Sequence, residues 1–177
     1  MSIAATPSRS IVDRMRGAAL LDVATYEEVE HDTSATGQTA VVVALAAVAT
    51  AVGNIWRGGP GIASAIVGYL AGWALWSGIT YLVGTRVFGG RATWGELLRT
   101  LGFSQAPDVL LVLAIVPIVG GLVKLAVGIW VLVTGVVAIR QALDVDTGKA
   151  VLTALVGWLA WVATSWIVSA VLGMPLY

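Results

Sequence analysis

The sequence predicts an all-α membrane protein, a polytopic helical bundle of five transmembrane helices with short cytoplasmic amphipathic helices. Of its 177 residues 58% are hydrophobic and 11% are charged, and the mean hydropathy is +0.91. Soluble domains carry about 25% charged residues, so this chain has too few charges to cover a soluble surface. In addition, the apolar run 122–139 contains a single charged residue, Lys124. A run of this length approaches the ~20 residues that a bilayer-spanning helix needs.

Composition also excludes several kinds of function. The chain has no cysteine, which excludes disulfides, thiolate metal sites and a thiol nucleophile. Its ten basic and ten acidic residues cancel, which argues against a nucleic-acid partner. No serine lies in a nucleophile-elbow pattern, and Gly58-Gly59-Pro60-Gly61 lacks the lysine of a phosphate-binding loop. We therefore predict no enzyme activity and no cofactor.

Residues 1–38 are predicted to form a cytoplasmic tail. The first long apolar run begins near Thr39 behind polar residues, which does not fit a cleavable signal peptide. Apolar residues at helical spacing predict an amphipathic helix, either on an anionic membrane surface or packed on other cytoplasmic loops. Its apolar positions are Ile11, Val12, Met15, Ala18 and Ala19, opposite Arg9, Asp13, Arg14 and Arg16. A capping-box pattern from Thr25 to Glu28 then predicts a second, acidic helix ending at Asp32.

Residues 39–177 are predicted to form the transmembrane domain, with spans at about 39–55, 62–83, 104–119, 122–140 and 150–172. A second capping box, Thr93 to Glu96, opens a short helix that we expect in the headgroup plane. The third span is short, because its apolar part 109–119 covers only about 20 Å of a ~30 Å core. It either starts further back, near Phe103, or crosses partially. Gly120-Gly121 is the expected reversal before the fourth span, and Asp146 or Thr147 is expected to cap the fifth.

The basic residues are sorted to one side of these spans. With the tail inside, eight of the ten lysines and arginines fall on the cytoplasmic side, and only Arg57 and Lys124 fall outside. This distribution follows the positive-inside rule and favours a cytoplasmic N-terminus.

The predicted spans have no ionisable residue near their midpoints. Asp108 and Lys124 are expected at opposite headgroup regions, where they would not pair. Because ion-coupled transporters usually hold their cargo or protons with intramembrane charges, such transport is disfavoured.

Five tryptophans fall near the middle of the predicted spans: Trp73, Trp76, Trp130, Trp158 and Trp161. Interior packing, with each indole N–H bonded to a nearby threonine or carbonyl, is the favoured interpretation. The alternative is an aromatic pocket for a lipid tail, a prenyl chain or a quinone-like ligand.

Small residues at regular spacing predict contacts between helices. The predicted packing positions are Gly68, Gly72, Gly121, Gly128 and Gly135, which would serve either within the chain or between copies.

The densest group of metal-ligand types lies in the acidic helix and comprises Glu27, Glu28, Glu30, His31 and Asp32. Glu28 and His31 have the Glu-x-x-His spacing of di-metal carboxylate proteins. A metal site would need further ligands from elsewhere, and a solvated acidic helix is the simpler interpretation.

Three segments of the chain resemble prokaryotic members of the Yip1 family. They are Leu20-Leu21-Asp22 with Thr25-Tyr26-Glu27-Glu28-Val29-Glu30-His31-Asp32, then Thr93-Trp94-Gly95-Glu96-Leu97-Leu98-Arg99-Thr100-Leu101-Gly102, and Ile129-Trp130 to Arg140-Gln141-Ala142-Leu143-Asp144. The resemblance implies five membrane helices and a cytoplasmic N-terminus. Eukaryotic relatives act in vesicle traffic and bind prenylated Rab GTPases, but this chain lacks their long cytosolic tail with its Asp-Leu-Tyr-Gly-Pro motif.

We therefore expect a non-enzymatic, multi-pass protein, in a prokaryotic cytoplasmic membrane, that organises the membrane or binds a partner or lipid. The expected partners are membrane lipids, proteins at the cytoplasmic face and further copies of the chain. The alternatives are a small transporter or lipid- or prenyl-binding protein that uses the aromatic pocket, and a metal-binding membrane protein that uses residues 27–32.

Overall fold

The computed structural model describes residues 9–57 and 62–172, and every regular element in these ranges is a helix. This confirms the predicted all-α membrane bundle. The α-helices are α1 Ile11–Ala19, α2 Val23–His31, α3 Ala35–Gly53, α4 Ile62–Arg86, α5 Trp94–Phe103, α6 Gly120–Ala142 and α7 Thr147–Leu172. Two 3₁₀ helices cover Ile55–Arg57 and Ala106–Ile115.

Within the described residues, four stretches are long and apolar enough to cross a membrane, namely Ala35–Gly53, Ile66–Arg86, Trp94–Ile115 and Gly120–Ala142. A further apolar stretch, Thr147–Ala160, belongs to α7. Their order along the chain is that of the predicted spans, although the division between tail and membrane domain at residue 38 stays a prediction.

The third of these stretches differs from the expectation of a separate surface helix. Helix α5 is largely buried and continues after a short break into the 3₁₀ helix Ala106–Ile115. A 3₁₀ helix rises about 2 Å per residue against 1.5 Å in an α-helix. If the two segments are collinear they supply about 35 Å of helix axis, so the stretch reaches spanning length by starting further back than Phe103.

This stretch lies at the centre of the bundle. A Cβ at Gly102 would collide with Thr39 near the start of α3, and a Cβ at Gly53 would collide with the Leu111 backbone, so the stretch runs parallel to α3. It runs antiparallel to α4, because Trp73 Nε1 donates to the Leu98 carbonyl while Tyr69, earlier on α4, donates to Asp108, later in the stretch.

The chain then reverses at residues 116–119, directly before the glycine pair where the turn was expected. Helix α6 begins at Gly120, whose added Cβ would lie 2.5 Å from the Ala114 carbonyl oxygen. The two glycines therefore start the helix, and the close approach of the preceding 3₁₀ helix requires Gly120 itself.

The tail is docked on the bundle. Arg14, expected on a solvated face, is 1% exposed and donates to Glu28 Oε1 (2.8 Å), Asp32 Oδ2 (2.6 Å) and Gln38 Oε1 (2.9 Å). The surface-helix interpretation of α1 is therefore wrong for this side chain, because α2 and α3 supply its partners. Of the two alternatives for α1, the structure shows the packed one.

The capping predictions have different outcomes. Asp22, not Thr25, caps α2, and the Thr25 hydroxyl donates to Asp22 Oδ2 at 2.6 Å. The predicted capping box of Thr93 and Glu96 is confirmed, as is capping of α7 by Asp146, whose Oδ1 accepts from the Lys149 backbone N–H.

Candidate functional site

A cavity of about 520 Å³ lies between α4, the central stretch, α6 and α7. Its volume falls within the ~300–1,000 Å³ range of small-molecule pockets. Most of its wall is apolar, with Leu101, Val131, Val136, Ile139 and Ala154 among its lining residues.

Three glycines create much of this space. Gly68 and Gly72 on α4 and Gly135 on α6 line the cavity, and a Cβ added at any of them would meet no other heavy atom within 4 Å. An added Cβ at Gly121 or Gly128 also meets nothing, but these two do not line the cavity. None of the five predicted packing glycines thus brings two helices together within the described chain, and packing between copies stays a prediction.

Three of the five tryptophans predicted to form an aromatic pocket lie around the cavity. Trp73, Trp76 and Trp158 line the cavity. Trp130 does not, since its indole N–H donates to the Ala19 carbonyl in the tail at 2.7 Å. The side chain of Trp161 lies outside the described residues.

The cavity opens laterally, between the exposed outer faces of the helices. Trp158 and Leu132 line it and are 51% and 64% exposed, and Gly68 at one end is also exposed. In a bilayer an opening between lipid-facing helices admits lipid chains before water-soluble molecules, since hydrocarbon surrounds it.

The polar residues of the cavity gather around Asp108. This carboxyl is 8% exposed and accepts a hydrogen bond of 2.5 Å from the Tyr69 hydroxyl. Nearby in the chain, Gln105 lines the cavity, and its buried Oε1 has no hydrogen-bond partner. The Ser104 hydroxyl is already engaged, donating to the Leu101 carbonyl at 2.8 Å.

Asp108 lies within the apolar stretch Trp94–Ile115, because that stretch starts at the Thr93 cap and not near Phe103. Its partner Tyr69 is the fourth residue of the stretch Ile66–Arg86. The expected headgroup location of Asp108, and the expectation that no ionisable residue lies near the middle of a span, stay predictions. Lys124 is elsewhere, donating to Asn54 Oδ1 at 2.7 Å, so the two charges are unpaired, as expected.

The predicted metal-ligand set is split between two environments. Glu28 and Asp32 bind Arg14. Glu27, Glu30 and His31 remain together, each offering a ligand atom within 4.8 Å of the others, with Glu30 buried and the other two exposed. His31 Nδ1 lies 2.8 Å from the Glu27 carbonyl oxygen, which leaves Nε2 as its available nitrogen. A metal site stays a prediction, confined by the geometry to these three residues.

Comparison with known proteins identifies the family of the chain. The Yip1 domain matches residues 23–169, which include the cavity and helix α2 of the tail but not helix α1. No curated protein and no solved structure shows a significant match to the chain. The domain match covers well over half of the sequence, and the chain therefore belongs to the Yip1 family of integral membrane proteins.

Proposed function

We propose that this protein is a non-enzymatic, lipid-binding member of the Yip1 family that takes one apolar chain from the bilayer into the cavity between α4, α6 and α7. The observation that carries the proposal is a glycine-lined, largely apolar cavity that opens between exposed helix faces. Yip1 proteins are generally non-enzymatic, and among the described lining residues there is no histidine or lysine.

Packing explains why a chain would enter. Lipid tails are as apolar as leucine, so the gain comes from van der Waals contact and not from expulsion of water. Walls built from Trp73, Trp76 and Val136 offer such contact on several sides. An empty cavity would lose it, because lining atoms without neighbours forfeit their dispersion energy.

The test is to fill the cavity at Gly135. Gly135→Leu places a side chain into the space, whereas Gly128→Leu adds the same side chain to the same helix at an exposed position outside the cavity. Lipids retained by the purified protein are counted by native mass spectrometry. We expect the wild type and Gly128→Leu to retain about one lipid molecule, and Gly135→Leu to retain about tenfold less.

Two results would overturn the proposal. In one, Gly135→Leu retains as much lipid as Gly128→Leu. In the other, the wild type retains no lipid under conditions in which it remains folded.

We also propose that the docked tail lies on the cytoplasmic side of a prokaryotic cytoplasmic membrane. The Arg91 backbone N–H donates to the Leu143 carbonyl at 2.9 Å, which joins two of the basic loops at one end of the bundle. The chain has no cysteine, so Arg91→Cys and Val145→Cys provide single labelling sites. Labelling of both from the cytoplasmic side is expected, and labelling of either position from the outside would contradict the topology.

A further inference from the structure

We infer that the cavity selects amphiphiles with a protonated amine head, held at Asp108 beside Tyr69. The inference rests on the proposed function, since it names the head-group chemistry of the lipid that the same cavity would bind. It begins from an imbalance between hydrogen-bond donors and acceptors at the polar end of the cavity.

Two acceptors at that end have room for a donor from a ligand, the Asp108 carboxyl and the Gln105 amide oxygen. Tyr69 already donates its proton to Asp108 Oδ2, so its hydroxyl proton is not available to a ligand. The Gln105 Oε1 has no partner. Buried acceptors without donors cost free energy, so a ligand that brings donors is favoured.

The carboxyl also lacks a countercharge. In the described residues the ion pairs involve Arg9 and Arg14 with Asp22, Glu28 and Asp32, and none reaches Asp108. The Tyr69 hydroxyl, which is neutral, is the described hydrogen-bond donor to this carboxyl. A charge inside an apolar stretch is costly unless a partner offsets it, and a bound ammonium would be that partner.

The shape of the cavity separates head from chain. Lining residues on α4 run from Gly68 to Trp76, about 12 Å along the helix axis. Tyr69, which holds Asp108, is at one end of this row, and Trp73 and Trp76 follow. An amine at Asp108 would direct its alkyl chain along Gly72 towards the two tryptophans.

The experiment compares three probes with the same saturated chain, brominated near its end: a primary amine, an alcohol and a carboxylate. Each is titrated into the full-length protein in nanodiscs of neutral lipid at neutral pH. Quenching of tryptophan fluorescence reports the chain near Trp73 and Trp76. We expect the amine to bind about tenfold more tightly than the alcohol, because it makes a charge-assisted bond, and the carboxylate to bind most weakly.

Asp108→Asn should bring the affinity for the amine to within about threefold of that for the alcohol, because the amide keeps an acceptor but loses the charge. Asp144→Asn is the matched control. Asp144 is exposed, outside the cavity and at a φ of 53°, which asparagine tolerates. It should leave the preference for the amine intact.

The outcomes separate this inference from the proposed function. Equal affinity of the wild type for amine and alcohol, or a preference that survives Asp108→Asn, would overturn the head-group assignment while leaving chain binding in place. Binding of none of the probes, together with no effect of Gly135→Leu on lipid retention, would overturn both. The wild-type comparison needs no substitution, so the assignment can be refuted even if Asp108→Asn does not fold.

Discussion

The docked tail and the cavity each bury a charged side chain, but they surround it differently. In the tail, Arg14 meets two carboxylates and an amide supplied by α2 and α3. In the cavity, Asp108 receives one hydroxyl from Tyr69 and no described cation. Removing Arg14 would leave part-buried partners uncompensated, whereas at Asp108 the missing countercharge is what we propose a ligand supplies.

Glycines show the same contrast. A Cβ at Gly17 would collide with Thr25, and one at Gly102 would collide with Thr39, so both allow close packing around the tail and α5. A Cβ at Gly72 or Gly135 would meet nothing. Glycine therefore allows close packing around the tail and α5, whereas it leaves open space along the cavity.

The largest effect is expected from breaking the tail network. Arg14→Ala should lower the free energy of unfolding by about 3 kcal/mol, because it leaves Asp32 without its cation in a part-buried site and leaves Glu28 with Arg9 alone. Arg16→Ala removes the same charge from an exposed position of the same helix and should change it by less than about 0.5 kcal/mol. Denaturant titration in mild detergent measures both. Equal losses would show that Arg14 acts only through net charge.

The contrast between glycines predicts the next largest effect. Gly102→Ala should destabilise by about 2 kcal/mol, because its methyl group overpacks against Thr39 and lies 3.1 Å from Trp73 Nε1. Gly128→Ala, with open space around it, should be neutral or stabilising by up to about 1 kcal/mol. The same titration compares the two variants, and similar values would mean that the packed and open regions do not differ.

Stability should also depend on pH through the tail. Burial, followed by the charge of Glu27, raises the pKa of Glu30 from 4.5 to about 7. Between these values the folded protein holds a proton that the unfolded chain has released, so the contribution of Glu30 to stability is complete below this interval and falls as pH rises through it. The slope is at most about 1.4 kcal/mol per pH unit from one such group. The pKa of His31, raised mainly by its bond to the Glu27 carbonyl, acts in the same direction.

Glu30→Gln should remove most of this slope in thermal unfolding measured from pH 4.5 to 8. Glu27→Gln removes a smaller cause of the shift and should keep the larger part of the slope, since burial of Glu30 is unchanged. A slope that persists in full in Glu30→Gln would assign the pH dependence to another group.

The smallest effect concerns the start of the central stretch. Thr93→Ala should cost about 1 kcal/mol, because Glu96 loses the hydroxyl that accepts its backbone N–H. Thr93→Ser keeps the hydroxyl and should recover most of the loss. Failure of serine to rescue would mean that the methyl group of Thr93, and not its hydroxyl, holds the end of α5.

Local sequence patterns predicted much of the fold but not how distant segments meet. The Thr93 and Asp146 caps and the apolar stretches follow from residues within one or two helical turns. The burial of Arg14 does not, because its partners come from separate helices. The amphipathic pattern of α1 does not indicate that α2 and α3 will enclose Arg14.

The candidate site shows the same limit. The sequence predicted an aromatic pocket because tryptophan at mid-span is unusual, and three of the predicted tryptophans, Trp73, Trp76 and Trp158, line the cavity. Trp130 fits the same sequence pattern but bonds to the tail instead. Gly72 and Gly135 were predicted to bring helices together, but they line the cavity. A small side chain permits close contact or leaves a gap, and the sequence does not distinguish the two. The start of the third span was misjudged because the join between α5 and the 3₁₀ helix depends on packing against α3 and α4.

The most direct test is an experimental structure of the protein in lipid nanodiscs, examined between α4 and α6. We expect elongated density for an apolar chain beside Gly72 and Gly135, ending in a head group at Asp108. Direct packing of α6 on α4 through these two glycines, with no space between them, would contradict it.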